Sequence, residues 1–228
     1  MVKNLMKYSE YVDAIVKFDK YPPTMVAQPT VYFEGLVGEC GEVCDSLNTG
    51  FNGVTSTTKL MLEAGDYMWY WTRLGVKLNI PILEMFDNTL EYIAFHKNTS
   101  DQNKLMGNFV SHTCKVVEQH KKAIRDDAIF GTQKGYQFTI NRLGKIEHEM
   151  KLALHQLCYI LRENGLDMKT VLGSNIEKLT KRLNNNTIHG SDDDGTRTPK
   201  KPQPPTNGGS YKKLPKPNLE RDFYRDTI

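Results

Sequence analysis

The sequence predicts an all-α protein, a helical bundle, on three observations. Apolar residues recur at alternating three- and four-residue steps through every periodic segment, the spacing of one helix face. Nowhere does a run of period-two alternation occur, the pattern of a half-buried strand. The periodic segments are also separated by strong helix stops: "YPP", "NTGFNG", "NIP" and "KNTSDQNK".

Taken in order, the first helix is expected near Tyr8 to Lys20, where "YPP" ends it because proline disfavours a helical residue before it. The second, about Tyr32 to Asn48, buries Leu36, Cys40, Val43 and Leu47, and stops where Gly and Asn supply left-handed backbone. A polar "TSTT" caps the third, which buries Leu60, Ala64, Tyr67, Trp71, Leu74 and Leu78. After "NIP", the fourth runs from about Ile82 to His96 with Leu83, Phe86, Leu90 and Ile93 inside. The pattern then restarts. Helices near Leu105 to Arg125, Ile140 to Glu163 and Met168 to Leu183 are expected to bury three further sets. These are Val110, Cys114 and Val117; then Leu143, Ile146, Met150, Leu154 and Leu157; then Leu172, Ile176, Leu179 and Leu183.

The restart is visible in letters. "GLVGECGEVCDSL" lies over "NFVSHTCKVVEQH", and "NIPILEMFDNTLEYI" over "NGLDMKTVLGSNIEKL" with one extra residue in the second, which suggests an internal duplication. The expected organisation is a first helical repeat with its leading helix over residues 1–97, a second over 104–197, and an extended tail over 198–228. That tail is rich in Pro, Lys, Gly and Asn and nearly free of aliphatic residues, so it cannot build a core of its own.

Composition excludes several classes. With 228 residues, 39% hydrophobic and 25% charged, the chain reads as globular. Its apolar runs are too short to cross a bilayer, and "MVKNLMKYSEY" lacks the apolar core of a signal peptide, so no membrane and a cytoplasmic location are expected. A net charge of +3 is too small to call for nucleic acid. The four cysteines, Cys40, Cys44, Cys114 and Cys158, sit in periodic apolar segments without a CxxC pair and read as reduced core residues.

The chemistry is concentrated in "GECGEVCDSL". Glu39 and Glu42 stand three residues apart on one helix face, and Glu63 and Asp66 repeat that spacing on the next helix. Each precedes a buried-stripe residue: Cys40 and Val43, then Ala64 and Tyr67. Packing the two helices antiparallel brings all four carboxylates to one seam, where they would repel and raise each other's pKa. Oxygen ligands without His or Cys favour a hard divalent ion, Mg²⁺ or Mn²⁺. Gly35, Gly38 and Gly41 each cost about 1 kcal/mol in a helix interior; a smooth face that lets a helix or a bulky ligand approach would compensate. The same spacing also fits the solvated flank of an amphipathic helix, and spacing alone leaves both open.

At these residues the chain resembles a family. "GLVGECGEVCD" followed by "EAGDYMWYW" is similar to the MazG-like nucleoside triphosphate pyrophosphohydrolases, whose signature is ExxE, a spacer, then ExxD. "NIEKLTKRLNNNTIHGSDDDGTR" resembles the closing stretch of phage-type members, with Asn175, Lys178, Arg182 and Arg197. The resemblance implies an all-α fold and hydrolysis of a nucleoside triphosphate to monophosphate and pyrophosphate, a role in editing the nucleotide pool. It implies metal held by Glu39, Glu42, Glu63 and Asp66, with Glu39 or Glu42 orienting the attacking water. Asn175, Lys178, Arg182 and Arg197 are the implied substrate contacts, with Lys121, Lys122 and Arg125 as further cations; Asn88, the counterpart of Asn175 in the first repeat, is a candidate for a sugar or base contact or, more simply, a helix cap.

One departure stands out. The family usually places its motifs in one short unit that dimerises, whereas an extra set of helices intervenes here. His112 and Lys115 fall where the overlay puts Glu39 and Glu42, and Glu149 and Leu152 fall approximately where it puts Glu63 and Asp66, so the second repeat cannot hold the ions. A fused pseudo-dimer with one site is the simplest account, and a homo-oligomer of such chains stays open. Trp69, Trp71, Tyr67 and Tyr70 suit either base stacking or, more simply, the core; His112 reads as structural. Two other functions remain: a non-catalytic helical module that engages a partner through its basic tail, and a hydrolase of a nucleotide alarmone sharing the same metal site.

Overall fold

The computed structural model describes residues 6–21, 29–48, 56–97, 99–128 and 138–185. Seven helices and no strand occur among them: α1 (Tyr8–Phe18), α2 (Thr30–Asn48), α3 (Thr57–Lys77), α4 (Ile82–Phe95), α5 (Gln102–Ala128), α6 (Ile140–Glu163) and α7 (Met168–Asn184). The all-α expectation holds. All seven belong to a compact unit spanning Met1–Arg197; the tail of 198–228 and residues 49–53 of the "NTGFNG" turn lie outside the described residues.

Local chemistry sets the helix ends. Ser56 caps α3 by accepting from the Lys59 N–H at 3.3 Å, as "TSTT" suggested, and Thr139 does the same for Arg142 on α6. Asp167 caps α7 through the Thr170 N–H at 2.9 Å. The α3–α4 turn uses Asn79 at φ 55°, the left-handed region that Asn tolerates better than most residues. Gly165, at φ 73°, ends α6, and Leu166 N–H closes back onto Leu161 O at 2.9 Å.

Two helix pairs form the body. Along α2 from Tyr32 through Gly35 to Glu39, the partners on α3 descend from Arg73 through Tyr70 to Asp66, so the pair is antiparallel. Helices α5 and α6 are antiparallel by the same test, with His112 against Glu149 and Asp126 against Arg142. The pairs meet where Phe33 on α2 stacks on His120 of α5 at 4.4 Å and Tyr67 on α3 bonds Thr113 of α5 at 3.0 Å. Trp71 Nε1 also donates to Met150 O of α6 at 3.1 Å.

The remaining helices cross over. Helix α4, which follows α3, packs on α6: Tyr92 stacks on His155 at 4.9 Å and Arg162 donates to Ile93 O at 3.0 Å. Helix α7, which follows α6, packs on α3. Helix α1 then lies on α7, α3 and α4, with Tyr8 bonded to Thr72 at 2.7 Å and stacked on Phe86 at 3.9 Å.

Three buried stripes differ from the sequence reading. On α5, Val110 and Cys114 are exposed and Val117 is half-buried; Leu105, Phe109, Thr113, Val116 and His120 line the core instead. Two of these are polar residues satisfied by partners on α2 and α3, so apolar periodicity did not register them. Phe109, Thr113, Val116 and His120 are nonetheless the positions that the overlay of the two repeats sets against Leu36, Cys40, Val43 and Leu47. On α4, Leu83 is exposed and Ile82, Met85, Phe86, Thr89 and Ile93 are buried, because α6 covers a face rotated from the one expected. Leu183 is exposed near the end of α7. All four cysteines are free, and Cys114 is a surface residue rather than a core one. No described helix is long and apolar enough to cross a membrane.

Candidate metal centre

The α2–α3 seam brings Glu39, Glu63 and Asp66 together, with one oxygen of each within 4.8 Å of the others. Glu63 is buried, 2% exposed, and Glu39 and Asp66 are half-buried. Burial, and then the charges of Asp66, Glu42 and Glu63, push Glu39 up to about 9, while Lys178 pulls against them. Glu42 stands one helical step along α2, exposed and outside the three-carboxylate group, although its charge is felt by Glu39.

Helix α7 supplies the counter-groups. Asn175, 2% exposed, donates from Nδ2 to Asp66 Oδ1 at 2.9 Å, and Lys178 pairs with Oδ2 of the same carboxylate. Gly65 makes this approach possible: a Cβ there would lie 2.9 Å from the Asn175 Cβ, closer than real Cβ contacts come. Tyr11 on α1 completes the arrangement by donating its hydroxyl to Asn175 Oδ1 at 3.0 Å. Desolvation, with smaller contributions from Tyr8 and Asp66, holds the Tyr11 phenol well above its ordinary pKa, so it stays a donor.

The donors fit a hard divalent cation. Two oxygens bound to one Mg²⁺ at about 2.1 Å stand at most about 4.2 Å apart, a span near the 4.8 Å within which these three oxygens lie. Among the described residues, three carboxylates share a partly desolvated space with the Lys178 ammonium, a crowding of negative charge. Either a proton on Glu39 or a cation offsets it.

The glycines of "GECGEVCDSL" divide in use. Gly35 accepts the Tyr70 ring, which would sit 2.1 Å from an added Cβ. At Gly38 and Gly41 an added Cβ would meet nothing within 4 Å. That part of the face, between Glu39 and Glu42, is open.

Other sequence candidates scatter. Asn88 is exposed on α4, and no hydrogen bond joins it to the cluster among the described residues; the buried position there is its neighbour Thr89. Arg182 is half-buried on α7 one turn beyond Lys178. Arg197 lies outside the described residues. Lys122 pairs with Glu118 on its own helix at 3.1 Å and Arg125 with Asp126 at 2.9 Å. The aromatic set is structural in large part: Tyr67, Trp69 and Trp71 are buried, and Tyr70 bonds Tyr21 at 2.8 Å. His112 pairs with Glu149 at 2.6 Å.

Sequence reasoning missed a layer beside the cluster. Asp19, at the end of α1, pairs with Arg73 and accepts from Tyr32, and both acid and base are largely buried. Arg73 stands seven residues after Asp66 on the same face of α3, a signal that extending the i, i+3, i+7 pattern would have caught. Tyr11 and Asp19 carried no such signal.

No protein-family model, curated protein or solved structure matches the chain.

Proposed function

We propose that this chain is a cytoplasmic, metal-dependent nucleoside triphosphate pyrophosphohydrolase of the MazG-like kind that edits a nucleotide pool. The observation that carries the reading is the convergence of Glu39, Glu63 and Asp66 with Asn175 and Lys178 docked on Asp66. Residues from two motifs far apart in the chain thus meet in one place, and the electrostatics of that place call for a cation.

Glu39, Glu63 and Asp66 would hold Mg²⁺ or Mn²⁺, with Glu42 at the exposed edge able to join them. A divalent ion there would polarise the α-phosphoryl group and lower the pKa of a water molecule. The chain's own residues do the rest. Glu39 would bind an ion as the carboxylate, and Asn175 and Lys178 keep Asp66 oriented. Glu42, solvent-facing beside the open glycine face, takes the proton from water as its oxygen bonds the α-phosphorus. The bond from that phosphorus to the bridging oxygen breaks, and pyrophosphate leaves with its charge met by Lys178 and Arg182. Gly38 and Gly41 leave room for the nucleotide.

The crossed packing of α4 on α6 and α7 on α3 supports reading the chain as a fused pseudo-dimer with a single site. A screen of all ribo- and deoxyribonucleoside triphosphates with Mg²⁺ or Mn²⁺, resolving mono- and diphosphate products, tests the function. Monophosphate and pyrophosphate are expected in equal amounts; diphosphate products, or no turnover of any triphosphate, would refute it.

A further inference from the structure

We infer that Tyr11, on the leading helix outside either motif, is a positioning residue of the metal centre. Its hydroxyl fixes the Asn175 amide so that Nδ2 holds Asp66. This rests on the metal-dependent reading above.

An Asn side chain presents a donor end and an acceptor end of nearly the same shape, and a single torsion exchanges them. At Asn175 that torsion is the soft degree of freedom. Its Cβ is pressed against Gly65, so the side chain cannot swing away from α3, but the amide can still turn. Turned, it would set Oδ1 against the Asp66 carboxylate, acceptor against acceptor, and break the Nδ2 bond to that carboxylate.

Tyr11 blocks the turn. Its hydroxyl, with the residue fully buried, donates to Oδ1 at 3.0 Å, and Nδ2 is left pointing at Asp66 Oδ1 at 2.9 Å. The hydroxyl itself is rigidly held. Tyr11 stacks near Tyr8 at 6.0 Å, and Tyr8 is fastened to α3 and α4 through Thr72 and Phe86. Helix α1 therefore reaches the Asp66 carboxylate through two hydrogen bonds in series. Outer partners of ligating carboxylates are worth about 10- to 100-fold in metal affinity.

The test is Mn²⁺ binding to the full chain, read from the free-ion electron paramagnetic resonance signal, for wild type, Tyr11→Phe, Asn175→Ala and the double variant. Tyr11→Phe is expected to weaken binding about 10-fold in the presence of Asn175. It should have no further effect in the Asn175→Ala background, because it acts only through that amide. An unchanged affinity in Tyr11→Phe, or an equal loss in both backgrounds, would overturn the inference while leaving the metal site standing. Wild type that binds no Mn²⁺ would overturn this inference and the reading beneath it together. Should Tyr11→Phe fail to fold, the metal-free wild type decides: the Asn175 side-chain amide protons are expected to exchange slowly by NMR, and fast exchange would sink the proposal.

Discussion

The α2–α3 seam and the α5–α6 seam have the same antiparallel form and opposite electrostatics. In the first, Glu39 meets Glu63 and Asp66, and three acids share one space with Lys178 at its edge. In the second, His112 stands in the overlay position of Glu39, and Glu149 in that of Glu63; the two pair at 2.6 Å, with Lys115 at 3.9 Å from the same oxygen. One seam satisfies its charges with its own side chains. The other gathers acids that crowd one another among the described residues, and it is the one onto which α7 brings an amide and an ammonium. The difference teaches that identical helix packing can be structural or receptive, according to whether the facing residues neutralise each other.

The strongest way to break this comparison is to remove one acid from each seam. Glu63→Gln is expected to lower triphosphate turnover at least about 100-fold, a barrier increase of about 2.7 kcal/mol. Glu149→Gln should leave turnover within about two-fold and cost only about 1 kcal/mol of stability, since its ion pair is partly exposed. Steady-state kinetics and thermal melts on both variants check this; equal effects on turnover would erase the distinction between the seams.

Glycines offer the next contrast. Gly65→Ala drives a Cβ into Asn175 and should destabilise by about 1–3 kcal/mol while weakening Mn²⁺ binding, because α7 must retreat from Asp66. Gly144→Ala on α6 meets nothing within 4 Å and should raise stability by up to about 1 kcal/mol. Chemical denaturation of both variants, with and without Mn²⁺, measures the pair.

The pH dependence sharpens the same point. Glu39 is raised to about 9 by burial and by its acidic neighbours, from 4.5 in an unfolded chain. The folded, metal-free protein therefore holds one more proton than the unfolded protein between those values. This contribution is complete below the unfolded pKa and is lost as pH rises through the folded one. The melting temperature without metal should fall from about pH 5 to pH 9, and Glu39→Gln should flatten the slope. Saturating Mn²⁺ should flatten it too, since the ion replaces the proton, whereas Glu149→Gln should leave it intact. A slope that survives Glu39→Gln would place its origin elsewhere.

The smallest effect is expected at the open face. Gly38→Ala should raise stability by up to about 1 kcal/mol, as a helix interior predicts, because nothing lies within 4 Å of the new methyl. If nucleotide approaches along that face, KM should rise in the same variant while kcat changes little. A stabilised variant with unchanged KM would locate the substrate elsewhere.

Much of this was legible in the amino-acid sequence, because it is governed by residues close together in the chain. The helices among the described residues and the Ser56 cap follow from local backbone chemistry; the shared faces of Glu39 with Glu42 and of Glu63 with Asp66 follow from a 3.6-residue period. Periodicity says which residues share a face and not which faces meet. Tertiary packing decided that Glu42 stands outside the three-carboxylate group, that Asn88 is exposed on α4, and that α7 packs on α3. It also decided the buried face of α5, where Thr113 and His120 are inside because Tyr67 and Thr30 bond them and Phe33 stacks on the His120 ring. Tyr11 and Asp19 entered the neighbourhood of the site only through long-range contacts, which leave no local pattern: a buried polar residue is identified by its partner, and here the partner lies up to 164 residues away.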